Sequence, residues 1–198
     1  TQEQKDKWLP KFSEGWISAF ALTEPNAGSD AGNTQTKAIL SDGKFTVNGQ
    51  KVFCTNAGYA GVIIFTARII EDDIEKGVGA LYVDAGTPGL ILGEPEDKMG
   101  WKGSDTRSVY FDNMVIPEKN ILGDIKTGYK QFLQTLTAGR ITIAALSIGI
   151  AQGAYESALN YTKEREAFGK KINQFQAVSF KLADMATQIE AAKLLVYN

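Results

Sequence analysis

The sequence predicts an α+β chain, an antiparallel β barrel or sandwich followed by long helices. Three observations carry this. Between Ile17 and about Ile121, many short strand-like runs are separated by turn residues, the pattern of an antiparallel barrel or sandwich. Two of the breaks are Asp42-Gly43 and Asn48-Gly49, and such pairs between apolar runs are the strongest short-range hairpin signals. After Gly128 the apolar residues recur with helical spacing instead.

In order along the chain, Thr1 to Leu9 reads as a short helix, with Thr1 and Gln4 at capping-box spacing and Pro10 as its end. Strands follow at Ile17 to Ala21, Thr36 to Leu40, Phe45 to Val47, Lys51 to Thr55 and Val62 to Ile70. Glu71 to Gly77 is expected to be a charged loop. Ala80 to Val83 is a strand closed by Gly86-Thr87-Pro88-Gly89, and Ser108 to Phe111 and Met114 to Ile116 complete the set. In the first long helix Phe132, Leu136, Ile143, Leu146 and Ile150 share a face read as core. Ala145, Gly149 and Gly153 make a small-residue stripe, for which a close neighbouring helix or backbone is expected. That helix runs to about Lys163. Gly169 lies in the break, and a second helix carries Phe175, Val178, Leu182, Met185, Ile189 and Ala192 on one face.

A length of 198 residues means one large or two small domains, and 43% hydrophobic residues suffice for a sizeable core. The net charge of −2, without a basic run, argues against a nucleic-acid partner. No segment approaches the ~20 apolar residues a membrane span requires, and the longest apolar run, Ile141 to Ala151, interrupted by Thr142, Ser147 and Gly149, reads as a buried helix. The absence of histidine excludes Ser-His-Asp catalysis and removes the commonest zinc ligand, so no metal site is expected. Cys54 is the sole cysteine, which rules out an intrachain disulfide and is compatible with a reducing compartment. Residue 1 is Thr, no signal peptide follows, and Ala191 to Asn198 stops inside an apolar helical pattern without a cap. An internal fragment of a longer protein is therefore expected.

The stretch with the most chemistry is Ala21-Leu22-Thr23-Glu24-Pro25-Asn26-Ala27-Gly28-Ser29-Asp30, after Trp16 to Phe20. It reads as a short buried strand entering a turn, since Pro25, Asn26, Gly28 and Asp30 are turn formers. Thr23, Ser29 and main-chain N–H groups would line one side and suit a polar, planar ligand. An ordinary strand–loop connection has the same composition. The length of the stretch decides for a resemblance: it is similar to the signature of the acyl-CoA dehydrogenase family, closest to its short-chain (butyryl-CoA) branch. The resemblance implies residues 1–15 as the tail of an N-terminal helical domain, 16–122 as the β domain, and 123–198 as the first helices of a C-terminal bundle. It also implies that this stretch, with Phe20, Leu22, Thr23, Gly28 and Ser29, runs along FAD, Ser29 also reaching the substrate side.

Four further stretches resemble the family. Asn48 to Asn56 would place Phe53, Cys54 and Thr55 at the flavin, with Phe53 where many members carry Trp and Thr55 offering a hydrogen bond at flavin N5. Glu96 to Thr106, with Lys102 in place of a usual Arg, would hold loops near the site. Leu136 to Arg140 would bring Thr137 and Arg140 to the acyl-CoA. In the long-chain and isovaleryl branches the catalytic Glu directly precedes this Arg, where this chain has Gly139, so the base is expected beyond Asn198. Arg165 to Gly169 with Gln174 to Gln176 resembles the second nucleotide site. There Arg165 would meet the FAD pyrophosphate, and Phe168 and Gln176 the adenosine half, of a cofactor shared with a neighbouring subunit.

The resemblance implies α,β-dehydrogenation of a short-chain acyl-CoA to the trans-2-enoyl-CoA. It also implies an electron-transferring flavoprotein as partner, a homotetramer, and a bacterial cytoplasmic or mitochondrial matrix location. The isolated chain is expected to be inactive. A non-catalytic structural or flavin-binding excerpt and a flavin-dependent oxidase or oxygenase of the same fold are the rival readings. No G-x-G-x-x-G follows a strand, so a Rossmann-type site is not supported.

Overall fold

Helix α1 (Gln2–Ser13) begins where its capping box places it. Gln4 N–H donates to Thr1 Oγ1 at 3.3 Å, and the Thr1 ammonium donates back to Gln4 Oε1 at 2.9 Å. Pro10 does not end the helix as expected but lies inside it. A proline there forfeits one helical hydrogen bond. The packing on either side of it compensates. Buried Trp8 stands edge-on to Tyr82 at 5.7 Å and stacks on Phe12 at 6.2 Å. The computed structural model describes residues 1–198, which divide into two compact units, Thr1–Leu133 and Gln134–Asn198.

In the first unit seven strands form one sheet. They are β1 (Ser18–Ala21), β2 (Lys37–Ser41), β3 (Lys44–Thr55), β4 (Val62–Glu71), β5 (Ile74–Asp84), β6 (Leu90–Pro95) and β7 (Thr106–Pro117). The order is β1-β4-β2-β3-β7-β6, with β5 also on β4. Most pairings are antiparallel, but β1 and β2 both run parallel to β4, at Val62–Phe65 and Arg68–Glu71 respectively. The sheet is thus mixed, not purely antiparallel. No hairpin can deliver a parallel neighbour: β2 and β3 intervene in the chain between β1 and β4, and β3 between β2 and β4, while residues 22–36 connect β1 to β2. Phe65 on β4 and Phe111 on β7, strands that do not pair, meet at 4.4 Å. The sheet therefore folds over its own inner face. Phe45, Val47, Ile63, Leu81, Val109 and Met114 fill the space between, each contributing roughly 1.5–3 kcal/mol by leaving water.

Asp42-Gly43 makes the expected hairpin, both residues at positive φ, with Ser41 opposite Lys44. Asn48-Gly49 does not. It lies within the continuous strand β3, opposite a bulge in β7, where the register advances three residues from Met114 to Phe111 against two from Val47 to Gly49. Asn48 Oδ1 accepts from Asn113 N–H at 2.8 Å, stitching the bulge to the neighbouring strand. Gly49 has φ +152°, and a Cβ there would lie 2.5 Å from Thr36 Oγ1. The expected loop over Glu71 to Gly77 is a tight β4–β5 hairpin instead. Asp72 and Asp73 take φ of 51° and 59°, a conformation that Asp tolerates better than most side chains. Strand β6 and the continuity of β7 were not legible in the pattern.

Helix α2 (Gly128–Glu164) starts in the first unit, where a Cβ on Gly128 would fall 2.1 Å from Ala80 N. Phe132 is buried there and stacks on Phe20 at 4.2 Å. In the second unit, a two-residue hairpin, β8 (Glu166–Ala167) with β9 (Lys170–Lys171), precedes α3 (Gln176–Tyr197). The expected core face of α2 is open beyond Phe132: Leu136, Ile143, Leu146 and Ile150 are exposed. A Cβ on Gly149 or Gly153 would meet nothing within 4 Å, and Ala145 and Gly149 line a hollow with Val196 and Tyr197 of α3 rather than a close contact. With only two long helices in this unit, there is too little surface to cover both. By length and composition alone α2, with the turn before it, is apolar enough to cross a membrane, which corrects the expectation that no segment approaches such a span.

Candidate functional site

The loop between β1 and β2 carries the signature stretch, and a buried ion pair fixes its path. Glu24 and Ala27 exchange backbone hydrogen bonds at 3.1 Å, closing a turn over Pro25 and Asn26. The Glu24 side chain points inward and is 3% exposed, and Lys51, from the middle of β3, is fully buried. Lys51 Nζ donates to Glu24 Oε1 at 2.7 Å, to Leu22 O at 3.2 Å, and to Thr34 Oγ1 and Thr66 Oγ1 at 2.9 Å. The Thr34 hydroxyl and the N–H groups of Gln35 and Thr36 donate to the Glu24 carboxylate. Burial alone would raise the Glu24 pKa. The bonds from Lys51 and Thr34, the Lys51 charge and the Gln35 N–H outweigh it and hold the carboxyl down at about 2. Burial pushes Lys51 down to about 8, against the opposing pull of Glu24.

On the outer side of this loop, residues 20–23 lie along residues 52–55. Val52 N–H donates to Thr23 O at 2.8 Å, and the Cys54 thiol to Phe20 O at 3.8 Å. The β3–β7 register advances three residues on β3, from Lys51 to Cys54, against two on β7, from Val109 to Arg107. This bulge turns Phe53 outward with φ 56° and 65% exposure, while Thr55 is exposed beside it. Cys54 itself points into the core. Burial, helped by the Asp105 charge, pushes its thiol up to about 12, so it is no nucleophile.

The residues after Thr55 are pinned from the 96–106 stretch. Asn56 N–H donates to Asp105 O at 2.9 Å, and Gly58 N–H to the Asp105 carboxylate at 2.7 Å. Burial would raise the Asp105 pKa. The Gly58 N–H, Arg107 and Lys98 together hold it below the usual carboxylate range. Lys98 Nζ donates to Thr106 Oγ1 at 2.8 Å, fixing the base of the same loop.

The hydroxyls of Thr23, Ser29 and Thr55 make no hydrogen bond within the protein. Leu22 and Thr23 are half-buried, and Gly28 and Ser29 lie exposed farther along the loop. The first unit thus brings Phe20, Leu22, Thr23, Phe53 and Thr55 together. An exposed aromatic ring flanked by unengaged hydroxyls fits a flat, polar heteroaromatic ligand such as the isoalloxazine of FAD.

In the second unit Thr137 and Arg140 lie exposed on α2. Arg165, Phe168 and Gln176 are gathered by the β8–β9 hairpin. Arg165 O accepts from Ile172 N–H at 2.9 Å, and Phe168-Gly169 forms the tight turn, with φ of 51° and 77°. Phe168 is 97% exposed and meets Phe175 edge-on at 6.2 Å, immediately before Gln176 opens α3. An exposed guanidinium and ring on one short segment suit a phosphate-bearing nucleotide.

Residues 19–114 match the acyl-CoA dehydrogenase middle domain, and residues 126–198 match the acyl-CoA dehydrogenase C-terminal domain. The chain belongs to the acyl-CoA dehydrogenase family. It is 48% identical over 99% of its length to a probable acyl-CoA dehydrogenase, YngJ, of Bacillus subtilis, covering 52% of that protein. It is 42% identical over its whole length to the caffeyl-CoA reductase-Etf complex subunit CarC of Acetobacterium woodii, again covering 52%. Among solved structures, butyryl-CoA dehydrogenase from Megasphaera elsdenii matches all of this chain with 52% of its own, at 45% identity and a TM-score of 0.94. An acyl-CoA dehydrogenase complexed with FAD from Bacillus anthracis matches all of it with 34% of its own, at 34% identity and a TM-score of 0.93. The chain spans about half the length of the curated relatives it matches.

In this acyl-CoA dehydrogenase chain the Glu24–Lys51 pair is the feature that sequence reasoning missed. The available signal was a lysine in a strand whose inward positions are otherwise Phe45 and Val47. Lys51 keeps the same alternation as Phe45 and Val47, and reading Asn48-Gly49 as a hairpin turn breaks the strand between them and hides that Lys51 points inward.

Proposed function

We propose that the protein carrying this chain is an FAD-dependent short-chain acyl-CoA dehydrogenase that converts an acyl-CoA thioester to the trans-2-enoyl-CoA and passes the electrons to an electron-transferring flavoprotein. The observation that carries this is the outer surface of the first unit, where Thr23, Phe53 and Thr55 are held side by side by the Val52–Thr23 and Cys54–Phe20 bonds. Bound FAD would supply the acceptor for the hydride leaving the substrate β carbon. The Phe53 ring would flank its flat face, and the Thr23 and Thr55 hydroxyls would bond its polar edge, Thr55 at N5. Gly28 and Ser29, on the exposed part of the loop, would border both cofactor and substrate, with Cys54 contributing only backbone there. Arg165 would pair with the pyrophosphate, and Phe168 and Gln176 would seat the adenosine half of a cofactor held across a subunit interface in a homotetramer.

Thr137 and Arg140 would contact the acyl-CoA. Gly139 leaves no carboxylate before Arg140, so the α proton would be taken by a Glu from another part of the full-length protein. The Etf-complex relative supports the choice of electron acceptor, and butyryl-CoA dehydrogenase supports the short acyl chain. The domain limits at 15/16 and 122/123 and a bacterial cytoplasmic location belong to the same proposal. A visible-absorbance titration with FAD tests it. A structured, shifted flavin band with a saturable endpoint is expected for the full-length protein. A flat titration would refute the flavin reading.

A further inference from the structure

A trans peptide unit points its C=O and its N–H in opposite directions. The Leu22 carbonyl points inward, to Lys51 Nζ at 3.2 Å. The Thr23 N–H belongs to the same peptide unit and so points away from the buried lysine, toward the surface that carries Phe53 and Thr55. The next peptide unit is fixed at both ends: Thr23 O accepts from Val52 N–H, and Glu24 N–H donates to Ala27 O. The Thr23 N–H itself has no partner within the protein. It is a donor aimed outward and held from behind.

We propose that Lys51 is a positioning residue for the cofactor site, which through its hold on the Leu22 carbonyl aims the Thr23 N–H at the ligand. This rests on the flavin reading above. Glu24 is the other half of the device. It accepts from Lys51 and from the Thr34 hydroxyl and the Gln35 and Thr36 amides, so the ammonium cannot swing away from Leu22 without leaving a buried carboxylate unpaired. The Thr34 and Thr66 hydroxyls lie 2.9 Å from the same ammonium, so its three N–H groups are shared among four acceptors and none is free to turn elsewhere.

A purely structural pair would affect flavin binding only by unfolding the loop, and the double variant Lys51→Met/Glu24→Gln separates the two roles. It leaves no buried charge, Met keeps the lysine stem's volume, and Gln, with its oxygen in the Oε2 position, keeps an acceptor for the 35 amide and a donor for the Thr34 hydroxyl and gives up only the bond from the 36 amide. In the full-length protein its Tm is expected within a few degrees of wild type. Its FAD dissociation constant is expected to rise about tenfold, the worth of a typical hydrogen bond. Return of FAD affinity and flavin band to wild-type values together with Tm would overturn the positioning role. Should the double variant not fold, hydrogen exchange of the wild-type Thr23 amide decides. It is expected to slow at least about tenfold on FAD binding, while the hydrogen-bonded Val52 amide is protected in both states. An unchanged Thr23 rate would overturn the proposal. Absence of FAD binding in the wild type would remove the flavin reading and this inference with it, and that arm involves no variant.

Discussion

The Glu24–Lys51 pair predicts a specific acid limb in the protein's stability. In the folded chain Glu24 titrates at about 2, against an ordinary value of 4.5. A carboxyl with a depressed folded pKa contributes stability that is fully present above its unfolded pKa and is lost as pH falls toward its folded one. The difference corresponds to about 3 kcal/mol at neutral pH, of which about 1 kcal/mol survives at pH 3. Lys51, pushed down to about 8, stays protonated throughout that range and adds no slope there. Other depressed carboxyls, Asp105 and Glu166, also titrate in acid. They must therefore be cancelled by a reference that keeps them. The Lys51→Met/Glu24→Gln variant is that reference, since it lacks only the pair. Urea unfolding of both proteins at pH 7, 5 and 3 gives the difference directly. The wild type is expected to lose about 2 kcal/mol relative to the variant between pH 7 and pH 3, nearly all of it below pH 5. The absolute difference at pH 7 is not the test, because a well-packed neutral replacement of a buried pair often costs nothing. A wild-type-minus-variant difference flat from pH 7 to pH 3 would refute the reasoning: Glu24 would then not be a buried, paired carboxylate.

Three further outcomes are expected. Arg165→Ala in the full-length protein should weaken FAD binding by ~1.5–3 kcal/mol, the range for a hydrogen bond to a charged group; equilibrium titration checks it, and unchanged affinity would remove Arg165 from the nucleotide site. Gly49→Ala should destabilise by about 1–3 kcal/mol or more in urea unfolding, since its Cβ would lie 2.5–2.8 Å from Thr36 at a φ of +152°. Cys54, buried and with its thiol pushed up to about 12, should not react with a disulfide reagent at pH 8 until the protein is unfolded; prompt labelling of the folded protein would contradict its inward orientation.

How much was legible in the sequence depended on whether the signal was local. The capping box of Thr1 and Gln4, the Asp42-Gly43 hairpin and the two long helices are set by residues a few positions apart, and they stand as expected. Asn48-Gly49 carries the same turn chemistry as Asp42-Gly43 but lies in mid-strand, opposite a bulge in β7. The difference lies in the partner strand: β7 continues past it and Asn113 takes up the Asn48 side chain, which no local pattern encodes. Asp72-Asp73 fails in the opposite sense. It lacks glycine, so it reads as a charged loop, yet the long apolar pairing of β4 with β5 draws it into a tight turn. The parallel pairings of β1 and β2 with β4 were invisible because they join strands separated in the chain by other strands and, for β1, by the irregular connection of residues 22–36. In the candidate site, Thr23, Phe53 and Thr55 were legible through family resemblance. The bulge that turns Phe53 outward and the lysine that lies behind Thr23 were not.

That irregular connection explains why an ion pair lies where an apolar pair would pack equally well. Residues 22–36 cross from β1 to β2 without strand partners along most of their length, and buried backbone groups in such a segment need other partners. Leu22 O at its start would be left without a donor, and the amides of Gln35 and Thr36 at its end without an acceptor, at about 1–3 kcal/mol each. One lysine and one glutamate meet both needs, and because they also bind each other they tie the start of the loop to its end. A hydrophobic substitute could restore the packing but could not meet either need. The pair is thus better understood as fixing a single path for the loop than as adding net stability. A fixed path is what the outer surface requires, since the Thr23 hydroxyl and N–H have no other restraint on their direction than the backbone that Lys51 and Val52 hold.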